Sequence, residues 1–192
     1  MELLLTLDIC EELAENDALE ITDAEREMVL REAELEGVET VKLVNIGPGA
    51  DYYVFLMILS LGLSAIKLGA DINDGIEGWR ALGEKLRRLF ERRRVVSVDA
   101  EGATALAIAL LAQKEQIERL EKRQEMTINL VDVSGMIPGN RGLSQKPHNY
   151  YIQSYLINSE ELYVVGIKSN GQTEILKHFG YSPYGVMERS LD

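Results

Sequence analysis

A chain of 192 residues with 46% hydrophobic composition can bury one compact core, or two small ones, without disulfides or metals. Its 27% charged content and mean hydropathy of −0.09 exclude a chain that is disordered throughout. The net charge of −12 is unevenly placed, because residues 1–40 hold 14 acidic and 2 basic side chains while the rest is close to balanced. Such a chain disfavours nucleic acid as its main partner, since phosphate binding needs a basic field.

Read in chain order, residues 3–9 form an apolar run too short for an exposed helix and predict a strand. The single cysteine, Cys10, follows it, and an isolated thiol in an apolar setting fits a reducing, cytoplasmic compartment. The acidic residues from Glu2 and Asp8 onward are unlike the basic start of a secretory segment. Thr22-Asp23-Ala24-Glu25 has the spacing of a capping box and predicts a helix to about residue 35, before Gly37. Residues 38–46 predict a second strand, closed by Gly47-Pro48-Gly49.

Tyr52 to Ile66 contains no charge, and the apolar stretch 52–70 reads as a helix buried in the core. At roughly 1.5 Å per residue its uncharged part falls short of the roughly 30 Å of a bilayer core unless Lys67 snorkels. A protein interface is the other use of such a helix. Ser60 with Ser64, and Ala65 with Gly69, sit four residues apart and would let another backbone approach closely.

Trp79, Leu82, Leu86, Leu89 and Phe90 recur at helical spacing and predict an amphipathic helix. Its other face carries the basic cluster Arg80, Lys85, Arg87, Arg88, Arg92, Arg93 and Arg94, a candidate docking surface for an acidic partner or for anionic head groups. Residues 95–98 predict a strand, and 103–125 a long helix whose second half projects. Strands are then expected over 127–133, 149–157, 161–168 and 172–179. Asn170-Gly171 between the last two predicts a two-residue hairpin turn. The fold class is therefore α+β: an N-terminal β-α-β-α-α-β-α region, 1–125, and a C-terminal antiparallel β-sheet, 126–192, able to form one compact unit with it.

Sites of chemistry are sparse. Val131-Asp132-Val133-Ser134-Gly135 resembles the first metal-binding motif of von Willebrand A-type domains, but Met136 stands where the second serine belongs, and no metal ligand is assigned from it. The glycine-bearing loop 135–148 is long enough to suspect a binding role. His148 and His178 neighbour aromatics and lack carboxylates at metal-like spacing. No catalytic, cofactor-binding or metal-binding residue is assigned.

In the order of its expected elements, 3–9, 25–35, 41–46, 52–70, 79–93 and 95–98, the segment 1–99 resembles the effector-associated constant components found beside enzymatic effectors in bacterial conflict systems. The resemblance implies a coupling or adaptor module without catalytic residues. The leading expectation is a cytoplasmic, non-enzymatic interaction module that binds a protein partner or forms a homo-oligomer. A membrane-associated protein inserting 52–70, with the arginines at head groups, is the alternative. A small-ligand binder or enzyme built on the C-terminal sheet and the 135–148 loop is a third.

Overall fold

The computed structural model describes residues 1–6, 22–33, 38–44, 54–59, 76–91, 95–130, 149–182 and 185–188. The chain is α+β, with two antiparallel sheets and three helices among those residues. Strands β1 (Glu2–Thr6), β2 (Val38–Val44), β3 (Val54–Leu59) and β4 (Val95–Val98) form the first sheet in the order β2-β3-β1-β4. Helices α1 (Asp23–Ala33) and α2 (Ile76–Glu91) lie between β1 and β2 and between β3 and β4 in the chain. This connectivity, β-α-β-β-α-β with every adjacent pair antiparallel, is that of the ferredoxin-like split β-α-β motif. One cross-strand row, Val41, Met57, Leu3 and Val98, is buried in all four strands and joins the same core as Trp79 and Leu86 of α2.

The helix expected over 52–70 is replaced, at 54–59, by this interior strand, paired with β2 on one edge and β1 on the other. A charge-free apolar run has no period to separate helix from strand, and two flanking ladders decide the matter by satisfying its backbone on both sides. The remainder of the 52–70 expectation lies outside the described residues, as do Ser60, Ser64 and Gly69.

Helix α3 (Ala100–Leu111) follows β4, and Gly102 to Ala109 are all buried. Asp99 caps it: Oδ1 accepts from the Gly102 amide at 2.8 Å and Oδ2 from the Glu2 amide at 2.6 Å, fastening the helix start to β1. The helix expected to continue to 125 stops at Leu111, and Leu120–Asn129 is instead strand β5, so the 125 boundary falls inside a strand. Residues 113–125 are rich in helix formers, but after a turn the chain from Leu120 onward meets β6, whose ladder outweighs intrinsic propensity.

The second sheet is a meander, β5-β6-β7-β8-β9, completed by β6 (Asn149–Ile157), β7 (Glu161–Lys168), β8 (Thr173–Ser182) and β9 (Gly185–Glu188). Asn158 and Ser159 turn β6 into β7 with φ of 50° and 62°. Asn158 also clamps the α3–β5 connection, its Oδ1 accepting from the Glu118 and Arg119 amides at 2.9 Å and its Nδ2 donating to the Gln116 carbonyl at 2.9 Å. Between β7 and β8 only Gly171 has a positive φ, 88°, where two such residues were expected. With the Gly171 amide on the Lys168 carbonyl and the Lys168 amide on the Gln172 carbonyl, the turn is a three-residue type I loop closed by a left-handed glycine. A side chain at Gly171 would overlap the Phe90 ring of α2.

The two sheets meet around α3. The Val98 amide donates to the Ser169 carbonyl at 2.9 Å, and Tyr151 Oη donates to the Val98 carbonyl at 3.1 Å. Against α2 the helices approach at Gly83, where a Cβ would strike the Ala105 carbonyl and lie 2.7 Å from the Ala109 Cβ. Gly83→Ala should therefore lower stability by about 1–3 kcal/mol through overpacking, measured as a reduced denaturant midpoint. At exposed Gly78 of the same helix the same change should be neutral, or stabilising by up to about 1 kcal/mol.

Candidate functional site

The basic cluster expected on α2 is a solvated face where it is described. Arg80 pairs with Glu84 at 3.2 Å and approaches Glu77 at 3.9 Å, and Arg87 pairs with Glu91 at 3.5 Å. These are exposed i,i+3 and i,i+4 pairs, which contribute little and leave less free positive charge than the sequence count implies. Arg88 is exposed and Lys85 partly so, while Arg92, Arg93 and Arg94 lie outside the described residues. His148 and the 135–148 loop, with Asp132 and Ser134, lie outside them too.

A polar cluster unforeseen in the sequence sits between α3 and the second sheet. Thr104 Oγ1 donates to the Ala100 carbonyl at 3.0 Å and accepts from Lys122 Nζ at 2.9 Å and Gln153 Nε2 at 3.0 Å. Lys122 also pairs with Glu125, and Tyr155 Oη donates to Gln153 Oε1 at 2.7 Å. Thr104, Lys122, Gln153 and Tyr155 are all buried, and burial pushes the Tyr155 phenol well above its usual range. Each polar atom is spent on another, so the cluster fixes β5 and β6 against α3 and offers no free acid, base or nucleophile. The expected helix 103–125 hid it, since Thr104 and Lys122 meet only once that segment turns back as a strand.

On the opposite face of the second sheet, Tyr150 lies across Gly166 and donates to Glu174 at 2.8 Å. Desolvation, and then Glu174, push its phenol up to about 12. An open cleft of about 360 Å³ nearby is lined by Lys168, Gln172, Thr173 and Glu174. Here too the polar groups are engaged, Lys168 Nζ on Gln172 at 2.8 Å and Glu174 on Tyr150. His178 stacks on Tyr163, centroids 4.0 Å apart, and pairs with Glu161 at 2.8 Å. Among the described residues no three His, Cys, Asp or Glu side chains converge as a metal site.

Among the described residues, the large apolar side chains most exposed to water cluster at the outer end of β5. Met126 and Ile128, alternating along β5, and Leu130, just beyond its end, are 59%, 40% and 47% exposed, and among the described residues β5 has a neighbour on one edge only. Comparison with family models, with curated proteins and with solved structures yields no match. Among the described residues no helix is long and apolar enough to cross a membrane.

Thr104→Val should cost about 1–3 kcal/mol by removing the acceptor shared by Lys122 and Gln153, whereas Lys122→Met should cost less, because half-buried Glu125 can turn to water. Asp99 behaves differently with pH. Desolvation raises its carboxyl above the ordinary 3.8 despite the two amides it accepts. The folded chain thus holds that proton more tightly than the unfolded one, and the carboxyl's contribution to stability falls as pH climbs through the window above 3.8. Asp99→Ala should destabilise by about 1–2 kcal/mol, with a gap to the parent that narrows as pH rises from acid to neutral, measured by denaturant titration.

Proposed function

We propose that this protein is a non-enzymatic interaction module that associates with itself through the C-terminal sheet. The observation that carries the reading is the row Met126 and Ile128, continued by Leu130 just past the strand, exposed on what is an edge strand among the described residues, where a monomer would place charge. The engaged polar groups of the buried cluster and of the 168–174 cleft support a scaffold in preference to a catalyst. The same proposal includes the setting implied by the resemblance to effector-associated constant components: a cytoplasmic adaptor coupled to a larger effector. For the compartment, the support is the single cysteine. Because 54–59 form an interior strand, insertion of a helix at that place has no support.

Sedimentation equilibrium between about 1 and 100 μM, the range of weak specific association, should give a mass that rises above 21.5 kDa with concentration. An apolar strand contact should hold as salt rises from ~0.1 to ~1 M, over which the Debye length falls from about 10 to about 3 Å. A mass of one chain at every concentration would sink the proposal. Association that dissolves in salt would return it to the arginines of α2.

A further inference from the structure

Edge strands are commonly blunted by inward charges, lysines, prolines or bulges. The first half of β5 has these devices: the ladder to β6 shifts register between Lys122 and Gln124, and Lys122 is turned into the core. Its second half has one inward charge, Glu125, already paired with Lys122, and no lysine, proline or bulge. From Gln124 opposite Ser154 to Asn129 opposite Asn149 the ladder is regular, and the segment contains neither Lys, Arg nor Pro. Thr127 lies opposite Tyr151, whose hydroxyl reaches Val98 on the core side, so Met126 and Ile128 point to the outer face beside Ile152 and Tyr150.

We infer that this edge, open among the described residues, is occupied by the same edge of a second copy, antiparallel about a two-fold axis at Thr127, an inference that rests on the self-association proposed above. The edge is self-complementary, and charge, strand length and apolar matching together fix the register: centred on Met126 the pair would set Ile128 against Gln124, and centred on Ile128 it would overlap only over residues 127–129 of β5. Centring the pair on Arg123 would set Arg123 against itself and Glu121 against Glu125, and centring it on Glu125 would oppose two carboxylates. Centring it on Gln124 would set Arg123 against Glu125, but would place the register shift inside the pair and draw on side chains already bound to Glu121 and Lys122. At Thr127 no like charges meet. Glu125 faces Asn129, Thr127 faces Thr127, and Met126 faces Ile128 twice, so four apolar side chains close together on the outer face. The two five-stranded sheets then continue as one, with α3 of each copy on the same side.

The experiment is an oxidative cross-link in the full chain. Both kinds of antiparallel pair bring opposed Cα atoms to about 4.5–5.5 Å, inside disulfide range. The T127C variant should therefore give a covalent dimer whose linked peptides, mapped by mass spectrometry, join position 127 to 127 and not to Cys10. R123C should stay uncross-linked. The double variant Met126→Lys/Ile128→Lys should sediment as one chain with an unchanged melting temperature, both sites being exposed. If the parent associates but T127C stays monomeric under oxidation, this pairing is wrong while self-association stands, and a double lysine variant that keeps the parent mass would say the same. Should the lysine variant fail to fold, the cross-link decides alone. A parent of one-chain mass would overturn both.

Discussion

A helix whose residues from Gly102 to Ala109 are all shut away from water needs cover on every side, and most of the architecture can be read as the supply of that cover. The first sheet, α2 and the second sheet each contribute to the core around α3. Alanines at 103, 105, 107 and 109 keep the helix narrow enough for three neighbours to approach, and Gly83 lets α2 come closest. Neither sheet could bury its inner face against so thin a helix alone. The split β-α-β unit and the meander are therefore parts of one packing problem, and Asp99, bonded at once to β1 and to the first turn of α3, holds the helix at their junction.

Within that apolar interior the Thr104 cluster does a different task. Apolar side chains reward burial without specifying a partner, whereas a buried ammonium restricts the strand that bears it. A slip of one residue between β5 and β6 would turn Lys122 to the outer face and bring Arg123 or Glu121 inward, with no Thr104 to meet it. Polar groups here set registration. The register shift after Lys122 then lets the strand continue with Glu125 and Thr127 on the inner face and Met126 and Ile128 on the outer one.

Much of the fold was legible because its signals are local. Helix α2 was visible in the spacing of Trp79, Leu82, Leu86 and Leu89, though it runs from Ile76 to Glu91 where 79–93 was expected, and β6 and β7, whose bounds agree to the residue, in their tyrosines and β-branched residues. What escaped was decided by distant partners. Residues 54–59 read as helix until β1 and β2 are seen on their flanks, and 120–125 read as helix until β6 is seen beside them. At the candidate site the arginines of α2 drew attention by number, though two of them, Arg80 and Arg87, pair with glutamates on the same helix. The alternation of Met126, Ile128 and Leu130 was present in the sequence, but the sequence alone does not tell an inner face from an outer one.

The Asn158 clamp also bears on how the molecule ages. In a mobile chain an Asn-Ser link is prone to attack by the following amide nitrogen on the side-chain carbonyl, closing a succinimide that opens to aspartate or isoaspartate. Here that carbonyl accepts from two main-chain amides and its nitrogen is held by Gln116, so the side chain is kept from swinging into the reactive geometry. The bonds that shape the turn thereby slow its chemical decay. Once the turn opened and the reaction occurred, the nitrogen that holds Gln116 would be gone, and the α3–β5 connection would lose its anchor for good.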